Sequence, residues 1–189
     1  MFVLVENDSI TKTVNSHKGI TIGEKQYPRA IYTLWTPAER EAIGIYEVVY
    51  DNTNKKDKAY YNNTNQSFNF ADGKVTASYG AATAKSLDDT TDDQDNVILG
   101  LKSHHTEKVK KQASSLLNPT DWHVVKATEV DSYSVSAEMT TYRAEVRTAS
   151  NDMEALIDAS STVDELAALY LYNEDKPPVR PLGEFPEAV

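Results

Sequence analysis

With 29 acidic against 19 basic residues in 189, the chain carries a formal net charge of -10. Such a field repels a phosphate backbone at long range and argues against nucleic acid as a partner. The absence of Cys excludes disulfides, thiolate metal sites and cysteine nucleophiles together.

A hydrophobic content of 40% supports a folded core. A mean hydropathy of -0.54 is polar for one free-standing globule, so part of the chain is expected to be linker or partner-facing surface. At this length one medium domain or two small ones are expected. The opening Met-Phe-Val-Leu-Val-Glu has no basic lead-in and too few apolar residues for a signal peptide or membrane span. A cytoplasmic protein is expected, unless an assembly carries it out.

Residues 1–80 read as an antiparallel β domain with one short helix. Candidate strands are 2–5, 11–14, 45–50, 58–61, 67–70 and 74–79, separated by turn-forming clusters. Asp72-Gly73 is the best hairpin signal, because both residues tolerate the positive φ that two-residue hairpins require. Thr36-Pro37-Ala38-Glu39 is a capping box with Pro at the first helical position. Gly44 ends that helix, and Trp35 is placed to pack against Ile43 across the cap.

Residues 81–96 shift to Ala, Thr, Ser and Asp, with five aspartates between Asp88 and Asp95 and only Leu87 as a large apolar group. Such a segment cannot offset its ordering entropy by burial and reads as an acidic linker.

Residues 97–175 read as helical. Ile98, Leu101, His105, Val109, Ala113 and Leu116 put an apolar stripe on a helix over 97–117, which Asn118-Pro119 stops. Ser136, with Glu138 in the first turn, opens the next helix. Met139, Tyr142, Val146, Ala149, Met153 and Leu156 then follow at the spacing of a helix–helix seam. The simplest partner for that seam is 97–117 folded back antiparallel, although the same seam could serve an oligomer or a fibre. Thr162-Val163-Asp164-Glu165 is a second capping box, starting a short helix that ends near Tyr172. Residues 176–189 are Pro-rich and read as an extended, polyproline-like tail whose Leu182 and Phe185 are free to meet a partner. The fold class is therefore α+β: a β domain, then a helical hairpin, then an extended tail.

Little here carries chemistry. The histidines are His17, His104, His105 and His123, and no His-x3-His or Glu-x-x-His spacing occurs. Asp93-x-Asp95 opens like a calcium loop but lacks the Gly and Glu that complete one. No phosphate loop, nucleophile elbow or dinucleotide fingerprint is present. Neither metal nor cofactor is expected, and no catalytic residue is assigned. The 11 Tyr are an excess. Tyr46, Tyr50, Tyr60, Tyr61 and Tyr79 read either as cross-strand pairs or as an exposed binding face. Trp122 is read first as a packing residue that locks the turn after helix 97–117, and otherwise as an anchor for a partner.

The run Leu116-Leu117-Asn118-Pro119-Thr120-Asp121-Trp122, followed by Tyr142-Arg143 and Arg147, resembles the C-terminal module of bacteriophage tail assembly chaperones. The matching positions are Leu116, Leu117, Thr120, Asp121, Trp122, Tyr142, Arg143 and Arg147, and the likeness spans about residues 110–157. The helix entry at 30–36 and the Phe70-Ala71-Asp72-Gly73 hairpin resemble tail-module proteins of marine phages.

The resemblance implies a non-enzymatic protein that assists folding or attachment of a tail fibre. Its partner would be that fibre or another tail protein, with a homo-oligomer as a further option and neither nucleic acid nor membrane involved. It would act in the host cytoplasm during assembly or persist in the virion tail. Candidate partner-binding residues are Trp122, Tyr142, Arg143, Arg147, Leu182 and Phe185. The alternative is a structural virion component, either a fibre-to-tail connector or a fibre-tip adhesin.

Overall fold

A computed structural model describes residues 1–14 and 18–189, so His17 lies outside the described residues. The chain is α+β and divides into two compact units, Met1–Thr83 and Ala84–Val189.

In the first unit, β1 (Phe2–Glu6) and β2 (Ser9–Val14) form a hairpin. Asn7 and Asp8 both take positive φ at its turn, the conformation that keeps twisted strands in register. After β3 (Ile20–Ile22) and β4 (Lys25–Tyr27), two short helices follow, α1 (Ile31–Leu34) and α2 (Pro37–Glu41). The single expected helix is thus corrected to two, because Trp35 takes an extended conformation between them. The capping box at Thr36 and Glu39 is formed in both directions. Next come β5 (Ile45–Asp51), β6 (Tyr61–Asn62), β7 (Gln66–Ala71) and β8 (Lys74–Tyr79). Asp72 and Gly73 both have positive φ in the β7–β8 hairpin.

The main sheet runs β2-β1-β5-β8-β7. Its β5–β8 pairing is parallel, which corrects the expectation of a purely antiparallel domain. Side-chain alternation sets which face is buried and is silent on strand direction. Strand β1 has apolar neighbours on both faces. Phe2 and Leu4 join Val14, Ile20, Ile31, Tyr32 and Ile45 in one core, while Val3 and Val5 join Val48, Val75 and Ala77 in another. The edge strands β2 and β7 come close to each other, and Ile10, Phe68 and Phe70 pack on the second core. The sheet therefore curls around that core. Arg40 is buried beneath the other one, its guanidinium 5.1 Å from the centre of the Phe2 ring and bonded to the Trp35 carbonyl.

Strand β9 (Thr83–Ala84) spans the junction of the units. In the second unit β10 (Thr90–Thr91) and β11 (Val97–Ile98) form a short antiparallel pair, and α3 runs Leu101–Leu117. The acidic segment is not a free linker. The amides of Leu101 and Lys102 donate to the carbonyls of Ser86 and Leu87, Asp88 pairs with Lys102 at 3.0 Å, and the Asp89 carboxylate accepts from the Gly100 amide at 2.7 Å. Gly100 offers no side-chain cap, so a distant aspartate supplies the anion that the first turn of α3 favours. The same bond holds the Asp89 carboxyl below its ordinary range.

A 3-10 turn (Asn118–Thr120) leads into α4 (Asp121–Glu129), and α5 covers Ala137–Ala159. Helices α3 and α5 pack antiparallel, as the Lys110–Glu154 pair at 3.3 Å and the Arg143 bond to the Leu117 carbonyl at 3.2 Å require. The buried stripe of α5 is Tyr142, Val146, Ser150, Met153 and Ile157. The expected seam instead used Ala149 and Leu156, because a strict 3.5-residue repeat drifts off a straight helix of 3.6 residues per turn. Helix α6 (Val163–Ala168) starts on its capping box as expected.

The C-terminal segment is not a free arm. Leu182 is 4% exposed and its amide donates to the Leu169 carbonyl. Phe185 packs on the Ala113, Tyr142 and Val146 core, and Arg180 pairs with Glu184 at 2.8 Å. Two large apolar groups within four residues outweigh the extended preference of the prolines.

Candidate partner-binding surface

Helix α4 buries none of its residues. Trp122 is 53% exposed, and Val124 and Val125 on the same helix and Val130 at its C-cap are exposed as well. This corrects the reading of Trp122 as a packing residue in a turn: Asn118-Pro119 makes one 3-10 turn and the chain re-enters a helix at Asp121. A Pro among the first residues of a helix lacks only a donor that would be unsatisfied anyway. It therefore redirects the chain without ending helical structure.

The surface is ordered by its own contacts. The Trp122 and His123 rings stack with centroids 3.7 Å apart. Nδ1 of His123 shares a hydrogen bond with the Tyr133 hydroxyl, and Lys126 Nζ lies 4.5 Å from the centre of the Tyr133 ring and 5.8 Å from that of Trp122. Each such contact adds about 0.5–1 kcal/mol at an exposed site. Together they hold a large aromatic face in place at low entropic cost. Lys126 and Tyr133 are not singled out by the sequence, and His123 only as a metal ligand without a partner; the four-residue spacing of Trp122 and Lys126 on one helix face was the available signal.

Arg143 anchors α4 from below. It is 8% exposed and donates to the Leu117 carbonyl, the Thr120 hydroxyl and, at 2.7 Å, the Asp121 carboxylate. Asp121 is its ion-pair partner. Arg147, one turn further along α5, is exposed and donates to the Arg143 carbonyl. Both arginines line an open groove of about 460 Å³ between α3 and α5, with Lys110, Ser114, Asn118 and Asn151.

Six residues were expected to meet a partner, and the structure separates them. Trp122 is on the surface, while Arg143 and Arg147 flank the adjoining groove. Tyr142 is 3% exposed and Leu182 is likewise buried, so both belong to the interior of the unit, while Phe185 is half-buried against the Tyr142 and Val146 core. The tyrosines of the first unit divide likewise. Tyr46 meets Phe70 edge-on with centroids 4.8 Å apart, whereas Tyr50 is 47% exposed.

Among the described residues, no group of three or more His, Cys, Asp or Glu is placed to hold a metal ion. No helix among them is long and apolar enough to cross a membrane. The Asp92 carboxylate, next to the calcium-like Asp93-x-Asp95, accepts from the Gln94 and Asn96 amides and so closes a local turn. No protein-family model, no curated protein and no solved structure matches this chain.

Proposed function

We propose that the chain is a non-enzymatic phage tail fibre-associated protein that assists folding or attachment of a tail fibre and can stay bound to it in the virion. The observation that carries this reading is α4: a helix with no buried residue that holds Trp122 in a stack and exposes two valines, with a third, Val130, exposed at its C-cap. Aromatic anchors of this kind, with arginine beside them, are the residues that dominate protein interfaces. The resemblance of residues 110–157 to tail assembly chaperones supports a tail fibre or other tail protein as the partner and the host cytoplasm during assembly as the place of action.

The folded-back C-terminal segment favours a second reading, a resident structural part such as a connector or fibre-tip adhesin. Leu182 is buried and Phe185 is half-buried against the helices, so this segment is docked on the unit rather than held out as an arm.

Quantitative mass spectrometry of purified virions, combined with co-expression of fibre and this chain, tests both. Fibres that misfold without the chain support the chaperone reading. A fixed small-integer ratio to the fibre, with normal fibre folding in its absence, supports the structural one. Absence from particles together with normal fibres contradicts both.

A further inference from the structure

The groove between α3 and α5 has an unusual charge for so acidic a chain. Three cations reach it, Lys110, Arg143 and Arg147, and two of them are already neutralised. Arg143 pairs with Asp121 at 2.7 Å, and Lys110 pairs with Glu154 at 3.3 Å. Arg147 meets no carboxylate among the described residues; its one protein acceptor is the Arg143 carbonyl, bonded through Nη1 at 3.1 Å. One guanidinium is left in surplus, with donors on its other nitrogens.

The rest of the lining suits the same ligand. Asn151 lies one helical turn beyond Arg147 and also faces the groove. Its side-chain amide has no hydrogen-bond partner among the described residues. Asn118 lines the opposite wall, its Oδ1 accepting from Ser114, which leaves its NH2 as a donor. The floor is preset: Arg143 is fixed by three acceptors, and Ser150 is committed to Glu154 at 2.9 Å. A guanidinium held at one nitrogen with amide donors beside it matches a planar, monoanionic carboxylate. A dianionic phosphate fits less well, because Asp121 lines the groove and a single surplus charge cannot balance two.

We infer that this groove binds a carboxylate of an acidic peptide segment, with Arg147 as the primary contact and Asn151 and Asn118 as supporting donors. Asp121 both lines the groove and begins α4, so an acidic side chain seated there would bring flanking apolar residues onto Trp122. The inference rests on reading this unit as a partner-binding one, and it adds the chemistry the partner must carry: an acidic residue next to an apolar one.

The test uses the full chain, isotope-labelled for NMR of arginine and asparagine side chains. It is titrated with N-acetyl-glutamate amide, its neutral isostere N-acetyl-glutamine amide, N-acetyl-alanine as a chain-terminal carboxylate, and inorganic phosphate. Saturable shifts of the Arg147 Nε–H and Asn151 side-chain signals are expected with N-acetyl-glutamate amide and not with the glutamine analogue. Arg147→Gln should weaken binding at least tenfold and Arg147→Lys several-fold, and added salt should weaken binding to the unmodified chain. Stronger binding of N-acetyl-alanine would assign the site to a chain terminus and overturn the side-chain assignment. Equal shifts with the glutamine analogue, tighter binding of phosphate, no saturable shift, or no effect of Arg147→Gln would each overturn the inference. These probes are too small to cover α4, so their failure is distinct from a failure of Trp122 to bind fibre.

Discussion

Arg143 donates through Nη2 to the Asp121 carboxylate at 2.7 Å, tying the second turn of α5 to the first residue of α4. The same guanidinium satisfies the Leu117 carbonyl at the end of α3. One side chain thus fixes the corner at which the candidate surface begins. Arg143→Ala leaves those acceptors without a donor and is expected to cost about 3 kcal/mol. Arg143→Lys should not restore the loss, since an ammonium cannot span the three acceptors. Asp121→Ala removes the half-exposed partner and is expected to cost only about 1 kcal/mol. Urea unfolding of the three variants provides the comparison.

Trp122 stands in the opposite relation to stability. With half of its surface in water, its contribution comes mainly from the His123 stack and the Lys126 and Tyr133 contacts, and Trp122→Ala is expected to cost about 1 kcal/mol. A loss of 3 kcal/mol or more in thermal unfolding would show that the residue is core after all.

Leu182 reverses the expectation of a free tail. Its burial, beside the Leu169 carbonyl at the end of α6 that its amide bonds, makes Leu182→Ala cost about 2–4 kcal/mol. Deletion of residues 177–189 should lower the melting temperature clearly. An unchanged melting temperature in the deletion would restore the reading of that segment as a partner-binding arm.

Gly100 is pinned by the chain that crosses it. A Cβ there would lie 2.4 Å from the Asp88 carbonyl carbon and oxygen, which are backbone atoms with no rotamer to yield. Gly100→Ala is therefore expected to cost about 1–3 kcal/mol and to loosen the acidic segment from α3. Hydrogen exchange at Leu101 and Lys102, whose amides bond to that segment, reports the loosening.

His105 on α3 sets a pH dependence. It lies against the Tyr170 ring, centroids 4.7 Å apart; burial, then the charges of Lys108 and His104, lower its pKa below the ordinary 6.5. The unfolded chain therefore takes up a proton at a higher pH than the folded one. Its stability contribution is whole above pH 6.5 and declines as pH falls from there towards the folded-state value. His105→Phe should flatten that decline in melting temperature between pH 7 and 5. An unchanged slope in the variant would assign the decline to other groups.

Much of the fold could be read from local chemistry. Both capping boxes, the Asp72-Gly73 turn, the Ser136 helix start and the antiparallel α3–α5 pair depend on interactions within four residues or on one repeating stripe, which sequence displays directly. Features that depend on distant residues could not be read this way. The β5–β8 pairing is parallel because of where the chain returns. Asp89 caps a helix 11 residues away and so looked like one more solvated acid. Leu182 is buried where the chain returns to bond the Leu169 carbonyl, 13 residues back. Trp122 was misjudged for a related reason: a large aromatic beside Asn-Pro looks like a hinge plug, and only the position of α4 relative to α3 and α5 shows its ring in water. Arg143 and Arg147 were singled out together, yet their roles diverge because one faces the α3–α4 corner and the other the open groove.

The most direct test of the account is the yield of soluble, trimeric tail fibre when the fibre is co-expressed with the unmodified chain or with Trp122→Ala, the stability of the variant being checked alongside. The expected result is correctly assembled fibre with the unmodified chain and a loss of most of that yield with a variant that still folds. Equal fibre yield with both, or with neither present, would contradict the account.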